Sequence, residues 1–158
     1  MEKVNKADLI YSLSRVVGVR QTDVRRVIDA YVDRLKKRLY DGESIKVLNI
    51  CYLVNKDNTK KYYHETLAYI SSDIGEETKL GKELVFRILT SYEEMIIRDL
   101  RKFYSYGIRG LVKFRNTEYT RGVYKVRVNK SSMLDSNIRV VTLNSFRRKV
   151  ELDDWKNT

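Results

Sequence analysis

The chain opens with two segments in which apolar residues recur every three or four positions, the spacing of one face of a helix. Gly18 ends the first segment and Asp41-Gly42 ends the second, so the pattern predicts two amphipathic helices. Ser44 to Val54 is rich in β-forming residues and predicts a strand, and Asn55 to Lys61 predicts a polar loop. The predicted apolar stripes are Leu9, Ile10, Leu13, Val16 and Val17 in the first helix, and Val24, Val27, Ile28, Tyr31, Leu35 and Leu39 in the second.

The same pattern then begins again. Thr66 is the predicted N-cap of a short helix that ends at Gly75, and a longer helix is predicted from Lys79 to Tyr104. Gly107 closes that helix, and Ile108 to Phe114 predicts a strand. A short helix, a glycine, a long helix, a glycine and a strand therefore occur twice, which indicates an internal duplication.

Only the second copy continues into more predicted sheet. Val123 to Val128 alternates between apolar and basic residues, and Ile138 to Leu143 returns as a second strand. We predict that these two strands pair as a β-ribbon that carries exposed cations, with Met133 and Leu134 at its tip. Arg147 to Trp155 predicts a short closing helix.

These elements predict an α+β fold: a duplicated helix-pair body with a small antiparallel sheet and one projecting β-ribbon. The first half is expected to cover residues 1–60, with two helices and a strand but no arm. The second half is expected to cover residues 61–158, with two helices, strands, the β-ribbon and the C-terminal helix. We expect the two halves to form one compact body around a shared hydrophobic interior.

The distribution of charged residues along the chain suggests a function. The 158 residues carry a formal net charge of +11, and the stretch from Arg109 to Val150 holds eleven basic residues against two acidic ones. Such a concentration is typical of a surface that binds a polyanion, because each phosphate neutralised by Lys or Arg releases a counterion. The alternative is a solvated basic face that keeps the protein soluble. The predicted DNA-binding or polyanion-binding residues are Lys113, Arg115, Arg121, Lys125, Arg127, Lys130, Arg139, Arg147, Arg148 and Lys149.

Other kinds of chemistry have no signal in the sequence. The single histidine, His64, has no acid or nucleophile motif around it, and the single cysteine, Cys51, lies in an apolar strand. No phosphate-cradling glycine motif occurs. We therefore expect no enzyme, no cofactor, no metal site, no small-molecule substrate and no membrane span. The expected location is the cytoplasm of a bacterial host cell, or a virion.

Particular residues give the chain a family resemblance. The start Asn5-Lys6-Ala7-Asp8-Leu9-Ile10, the run Val27-Ile28-Asp29-Ala30, and Asp41-Gly42 before a strand resemble the bacterial histone-like HU and integration host factor family. The second copy is similar through Lys82-Glu83-Leu84-Val85, and Phe146-Arg147-Arg148-Lys149 leads into a final helix as in the family.

The resemblance implies a non-enzymatic protein that associates with double-stranded DNA. Members of the family are dimers whose β-arms reach around the DNA minor groove, so one chain with two helical halves looks like a dimer fused into one polypeptide. We interpret it as a divergent, phage-encoded pseudo-dimer with at most one arm. It would contact the phosphate backbone through the basic ribbon, with low sequence specificity.

One departure from the family leaves two roles open for the ribbon tip. Family arms end in a proline that wedges between base pairs, and this sequence has no proline. Met133 or Leu134 would then be the apolar wedge, or both would only shield a turn.

Two other functions remain open. The same fold could serve as a structural component of a phage virion, such as a head-to-tail connector ring or adaptor, with protein partners in a larger assembly. A weaker alternative is a decoy that pairs with HU-type chains of the host.

Overall fold

The computed structural model describes residues 6–58, 62–63, 65–101, 105–120 and 123–151 of the chain. The helices are α1 (Lys6–Val17), α2 (Gln21–Tyr40), α3 (Leu67–Thr78), α4 (Lys82–Leu100) and α5 (Asn144–Glu151). The strands are β1 (Ser44–Val47), β2 (Cys51–Asn55), β3 (Tyr62–Tyr63), β4 (Ser105–Ile108), β5 (Val112–Thr120), β6 (Val123–Lys130) and β7 (Ile138–Thr142), and Lys56–Asn58 forms a 3-10 turn. The predicted α+β class is confirmed.

Glycines end the first two helices where the sequence predicts. Gly18 follows α1 with a φ of 80°, and its N–H donates to the carbonyl of Ser14. Gly42 follows α2 with a φ of 86°. Both positions need the left-handed backbone that glycine adopts without a steric penalty.

Gly75 does not end the third helix, so that prediction was wrong. Helix α3 begins at the predicted cap, where the Thr66 side chain accepts from the N–H of Tyr69, but it continues to Thr78. A Cβ on Gly75 would lie 2.5 Å from the carbonyl carbon of Gly81. Gly75 is therefore needed because the backbone before α4 passes directly over it.

Gly75→Ala should lower the free energy of unfolding by about 1–3 kcal/mol, because the new methyl group meets backbone that cannot move aside. An ordinary Gly→Ala change inside a helix has the opposite sign and stabilises by roughly 0.5–1 kcal/mol. Urea denaturation would measure both Gly75→Ala and Ser72→Ala, an exposed substitution on the same helix that serves as the control. A Gly75→Ala variant as stable as the parent would contradict the close approach.

The two long strands that the sequence predicts after the helix pairs are both interrupted by tight turns. Ser44 to Val54 forms the hairpin β1–β2, and the run from Ile108 to Phe114 is broken between β4 and β5. The first turn places Leu48 at a φ of 46°, and the buried hydroxyl of Tyr31 accepts the Leu48 N–H at 2.8 Å. Each turn contains one exposed polar residue, Asn49 or Arg109, between residues that are buried, so a single polar position marks each break in the sequence.

The predicted ribbon, in which Val123 to Val128 pairs with Ile138 to Leu143, is wrong. Strand β6 pairs with β5, not with β7, and only two residues separate Thr120 from its partner Val123. Strand β7 instead pairs antiparallel with β2, from Cys51 opposite Thr142 to Asn55 opposite Ile138. The short connection favours the β5–β6 hairpin. Strand β7 covers the edge of β2, where Cys51, Leu53 and Val54 are fully buried.

Two sheets therefore lie over the helices, with strand orders β3-β1-β2-β7 and β4-β5-β6. All pairings are antiparallel except that of β3 with β1, which is parallel. The buried apolar residues of both helix pairs belong to one hydrophobic cluster, which runs from Leu9 of α1 through Ile96 of α4 to Val150 of α5. The two helix pairs thus share a single core.

The closing helix α5 begins three residues earlier than predicted, at Asn144. Its Phe146 and Val150 are buried, and the Phe146 ring lies 5.8 Å from the ring of Phe114 on β5. The other predicted packing residues of this helix, Leu152 and Trp155, lie outside the described residues.

Candidate nucleic-acid interface

The β5–β6 hairpin alternates strictly between a buried face and an exposed face. Phe114, Asn116, Val126 and Val128 point into the protein and are at most 8% exposed. The intervening positions are exposed: Lys113, Arg115 and Thr117 on β5, and Lys125, Arg127 and Asn129 on β6. The period of two that separates these faces is that of a sheet with one side on the core.

The hairpin register brings four cations together on the exposed face. Arg115 lies directly opposite Arg127, and Lys125 lies opposite Thr117. We call Lys113, Arg115, Lys125 and Arg127 the cationic face. Arg115, Thr117, Lys125 and Arg127 also line a shallow depression of about 290 Å³. Like charges directly opposite each other destabilise a strand pair, so the fold alone gives no reason for this arrangement.

The cationic face has no acidic partner among the described side chains. The ion pairs among the described residues join side chains of α1 to α4 to one another or to Arg20, Glu43 and Glu65, and none involves β5 or β6.

The core holds the cationic face rigidly from behind. Phe114, between Lys113 and Arg115, packs its ring against those of Tyr106 and Phe146, at 6.3 and 5.8 Å between centroids. The N–H of Val126, between Lys125 and Arg127, donates to the Glu151 carboxylate of α5 at 2.8 Å. The backbone of both strands is thus fixed at the positions that carry the charges.

The other predicted site residues are not part of this cluster. Lys130 donates to the carbonyl of Asp135 at 2.8 Å and so holds the turn after β6. Arg139 lies on β7 in the other sheet, opposite Val54. Arg147, Arg148 and Lys149 belong to α5, which packs on the buried face of the hairpin. Arg121 lies outside the described residues.

Met133 and Leu134 do not lie at a ribbon tip. They belong to the connection between β6 and β7, where the N–H of Ser131 donates to the carbonyl of Leu111. Leu134 is half-buried and packs against the hydrophobic core, whereas Met133 is 77% exposed. This connection lies at the opposite end of the hairpin from Thr120 and Val123, so the predicted position of the wedge was wrong.

Sequence reasoning named the four cations but missed their juxtaposition. The predicted strand ended at Phe114, so Arg115 and the segment Asn116 to Thr120 were not recognised as strand. Arg127 was instead predicted to lie in a ribbon with the strand from Ile138 to Leu143. Two signals were available in the sequence: the β-forming residues from Asn116 to Thr120, and the glycine of Arg121-Gly122, a residue type typical of hairpin connections.

Burial explains the raised pKa values of one thiol and three phenol groups. Burial raises the pKa of the Cys51 thiol to about 12, and it also raises the pKa values of Tyr31, Tyr92 and Tyr106. These groups therefore stay protonated and neutral at physiological pH. Within the described ranges, no cluster of three or more His, Cys, Asp or Glu side chains is arranged to hold a metal ion. In the same ranges, every helix is too short or too polar to cross a membrane.

A helix-pair body with an exposed basic hairpin is an architecture suited to binding a polyanion. Comparison with known proteins points to the same class. Residues 4–66 match the family model described as bacterial DNA-binding protein, the HU and integration host factor family. The matched segment covers α1, α2, β1, β2 and β3, and its similarity supports a DNA-binding, architectural function. No curated protein matches the chain.

Proposed function

We propose that the protein binds double-stranded DNA through the phosphate contacts of its cationic face, with little sequence specificity. The observation that carries this proposal is Arg115 directly opposite Arg127, exposed and without an acidic partner among the described residues. Guanidinium groups bind phosphate oxygens in bidentate fashion, so a bound backbone would offset their mutual repulsion. The similarity of residues 4–66 to a DNA-binding family supports the same function.

We further propose that the chain is a pseudo-dimer with a single arm. The strand orders β1-β2-β7 and β4-β5-β6 correspond, with a hairpin after each helix pair and a third strand beside it. In the second half a two-residue connection joins the second and third strands into an arm. In the first half the third strand comes from the far end of the chain, and residues 6–58 and 62–63 form no equivalent arm. A single arm favours contact with one side of the duplex over wrapping.

The salt dependence of DNA binding tests the proposal. Four phosphate contacts predict a slope of about −3.6 for the logarithm of the association constant against the logarithm of the salt concentration. Fluorescence anisotropy with a labelled 20-base-pair duplex between 50 and 300 mM NaCl would measure this slope. Two duplexes of unrelated sequence should bind within about threefold of each other. A slope near zero, or no binding at 50 mM NaCl, would remove the proposal.

The core shared by the two helix pairs argues against the decoy function, and the oligomeric state tests the structural role in a virion. A decoy would have to separate its halves to pair with a host chain, and this would expose apolar residues such as Ile10, Leu13 and Ile96. We therefore expect a monomer in size-exclusion chromatography with light scattering. A closed ring of subunits would instead favour the structural role in a virion.

A further inference from the structure

Two grooves lie at equivalent places in the two helix pairs. The first, of about 700 Å³, lies between α1, α2 and strand β4, and the second, of about 230 Å³, lies beside α2, α3 and strand β1. Tyr92 lines the first and Tyr31 the second, and each is the eleventh residue of its helix. Leu9 and Ile70, the fourth residues of α1 and α3, correspond in the same way. The grooves are therefore counterparts that differ about threefold in volume.

A segment of the chain itself borders the smaller groove. Strand β3 adds to the outer edge of β1 in parallel, with Tyr62 opposite Ser44 and Tyr63 opposite Ile45. Glu65, two residues further on, lines the groove and accepts hydrogen bonds from Arg34 and Arg38 of α2. An extended segment with a carboxylate thus occupies the edge of the first sheet.

The larger groove has no such occupant in the part of the chain that the structure describes. Strand β4 is the edge of its sheet there, and Tyr106, Gly107 and Ile108 of this strand line the groove. Other apolar residues of the groove include Ile28 and Val32 of α2. A free edge beside an apolar surface is the arrangement that binds an added strand.

The rim of the larger groove carries excess positive charge. Lys36, Arg109 and Lys113 line it without a salt bridge to any described acidic side chain, whereas Lys6 is paired with Asp29. The only other charged residue of the lining is Asp33. The rim therefore holds four cations and two anions, which favours an acidic occupant.

We infer that the larger groove binds an extended acidic peptide of a partner protein, which adds to the edge of β4 as β3 adds to β1. Main-chain hydrogen bonds to β4 supply the affinity, and Lys36 and Arg109 hold a carboxylate as Arg34 and Arg38 hold Glu65. Residues 1–5 contain one Glu and one Lys, so their side chains would not neutralise the rim. The inference does not rest on DNA binding, although Lys113 belongs both to this rim and to the cationic face.

Titration of the ¹⁵N-labelled full chain with a synthetic peptide tests this site. The probe is acetyl-Tyr-Tyr-Glu-Glu-Thr-amide, which follows residues 62–66 with the histidine replaced by glutamate. Amide resonances of residues 106–109 should shift and saturate with a Kd on the order of 1 mM, as expected for so short a peptide. Lys36→Glu and Arg109→Glu should each weaken binding by about fivefold or more. Arg148→Glu, the same charge change on α5, is the matched control and should alter the Kd less than twofold.

A peptide with N-methylated backbone nitrogens separates strand addition from simple charge attraction. It keeps both carboxylates but lacks the donors that pair with a strand edge, so it should bind at least about tenfold more weakly. Equal binding of the methylated peptide would overturn the inference, as would shifts confined to residues 125–127 or no shifts at 5 mM peptide. Binding only to a variant that lacks residues 1–5 would overturn the partner assignment, because the chain itself would then fill the groove.

Discussion

Reversing the two opposed arginines, Arg115→Glu with Arg127→Glu, should weaken duplex DNA binding about 100-fold or more at 50 mM NaCl. Each hydrogen-bonded contact between a guanidinium and a phosphate contributes about 1.5–3 kcal/mol, and two lost contacts exceed the 2.8 kcal/mol that corresponds to 100-fold. The milder pair Arg115→Gln with Arg127→Gln should reduce the magnitude of the salt slope by about 1.8, because two fewer counterions are released. Anisotropy titrations over a range of salt concentrations would measure both effects.

A charge-matched control lies on the other side of the hairpin. Arg148→Glu with Lys149→Glu makes the same change in net charge on α5, behind the buried face of the hairpin. We expect this variant to lose less than about fivefold in affinity, through long-range repulsion alone. Equal losses from both pairs would contradict the assignment of the contacts to the cationic face and would return α5 to the interface, as the sequence predicted.

The double variant Arg115→Gln with Arg127→Gln should be as stable as the parent protein or slightly more stable. Arg115 and Arg127 are directly opposed like charges, and relieving such a pair gains a few tenths of a kcal/mol up to about 1 kcal/mol. Urea denaturation at low salt would measure this gain. Loss of DNA affinity without loss of stability would separate a binding role from a structural one.

Phe146→Ala should produce the largest loss of stability that we predict, about 3–5 kcal/mol. Phe146 is 1% exposed, and its ring packs against Phe114 behind the cationic face. Truncating it removes a large apolar contact and leaves a cavity that the surrounding strands and helices cannot fully close. The melting temperature should fall by about 10 °C or more, and circular dichroism would follow it.

Phe86→Ala removes the same atoms from an exposed site and serves as the control. Phe86 is 42% exposed on α4, so its truncation should cost less than about 1 kcal/mol. Similar losses at the two positions would show that α5 does not close the core.

Local patterns in the sequence determined the helices and, for α1 and α2, where they end. The apolar stripe of α2 from Val24 to Leu39 is buried as the periodicity predicts, and Gly18 and Gly42 have the left-handed backbone that ends a helix. Such signals depend on residues only a few positions apart, so they can be read without knowing the rest of the fold. The excess of cations in the last third of the chain is equally a property of the sequence.

The tertiary structure decided which strands pair, and therefore which cations meet. Strand β7 has the alternation expected of a ribbon, yet it pairs with β2, which lies more than eighty residues earlier in the chain. The role of Gly75 was equally hidden, because it depends on where the backbone of Gly81 passes. The sequence alone determined two helix pairs and a basic last third. Only the fold paired β7 with β2 and set Arg115 opposite Arg127. Strand pairing and register depend on contacts between residues far apart in the chain.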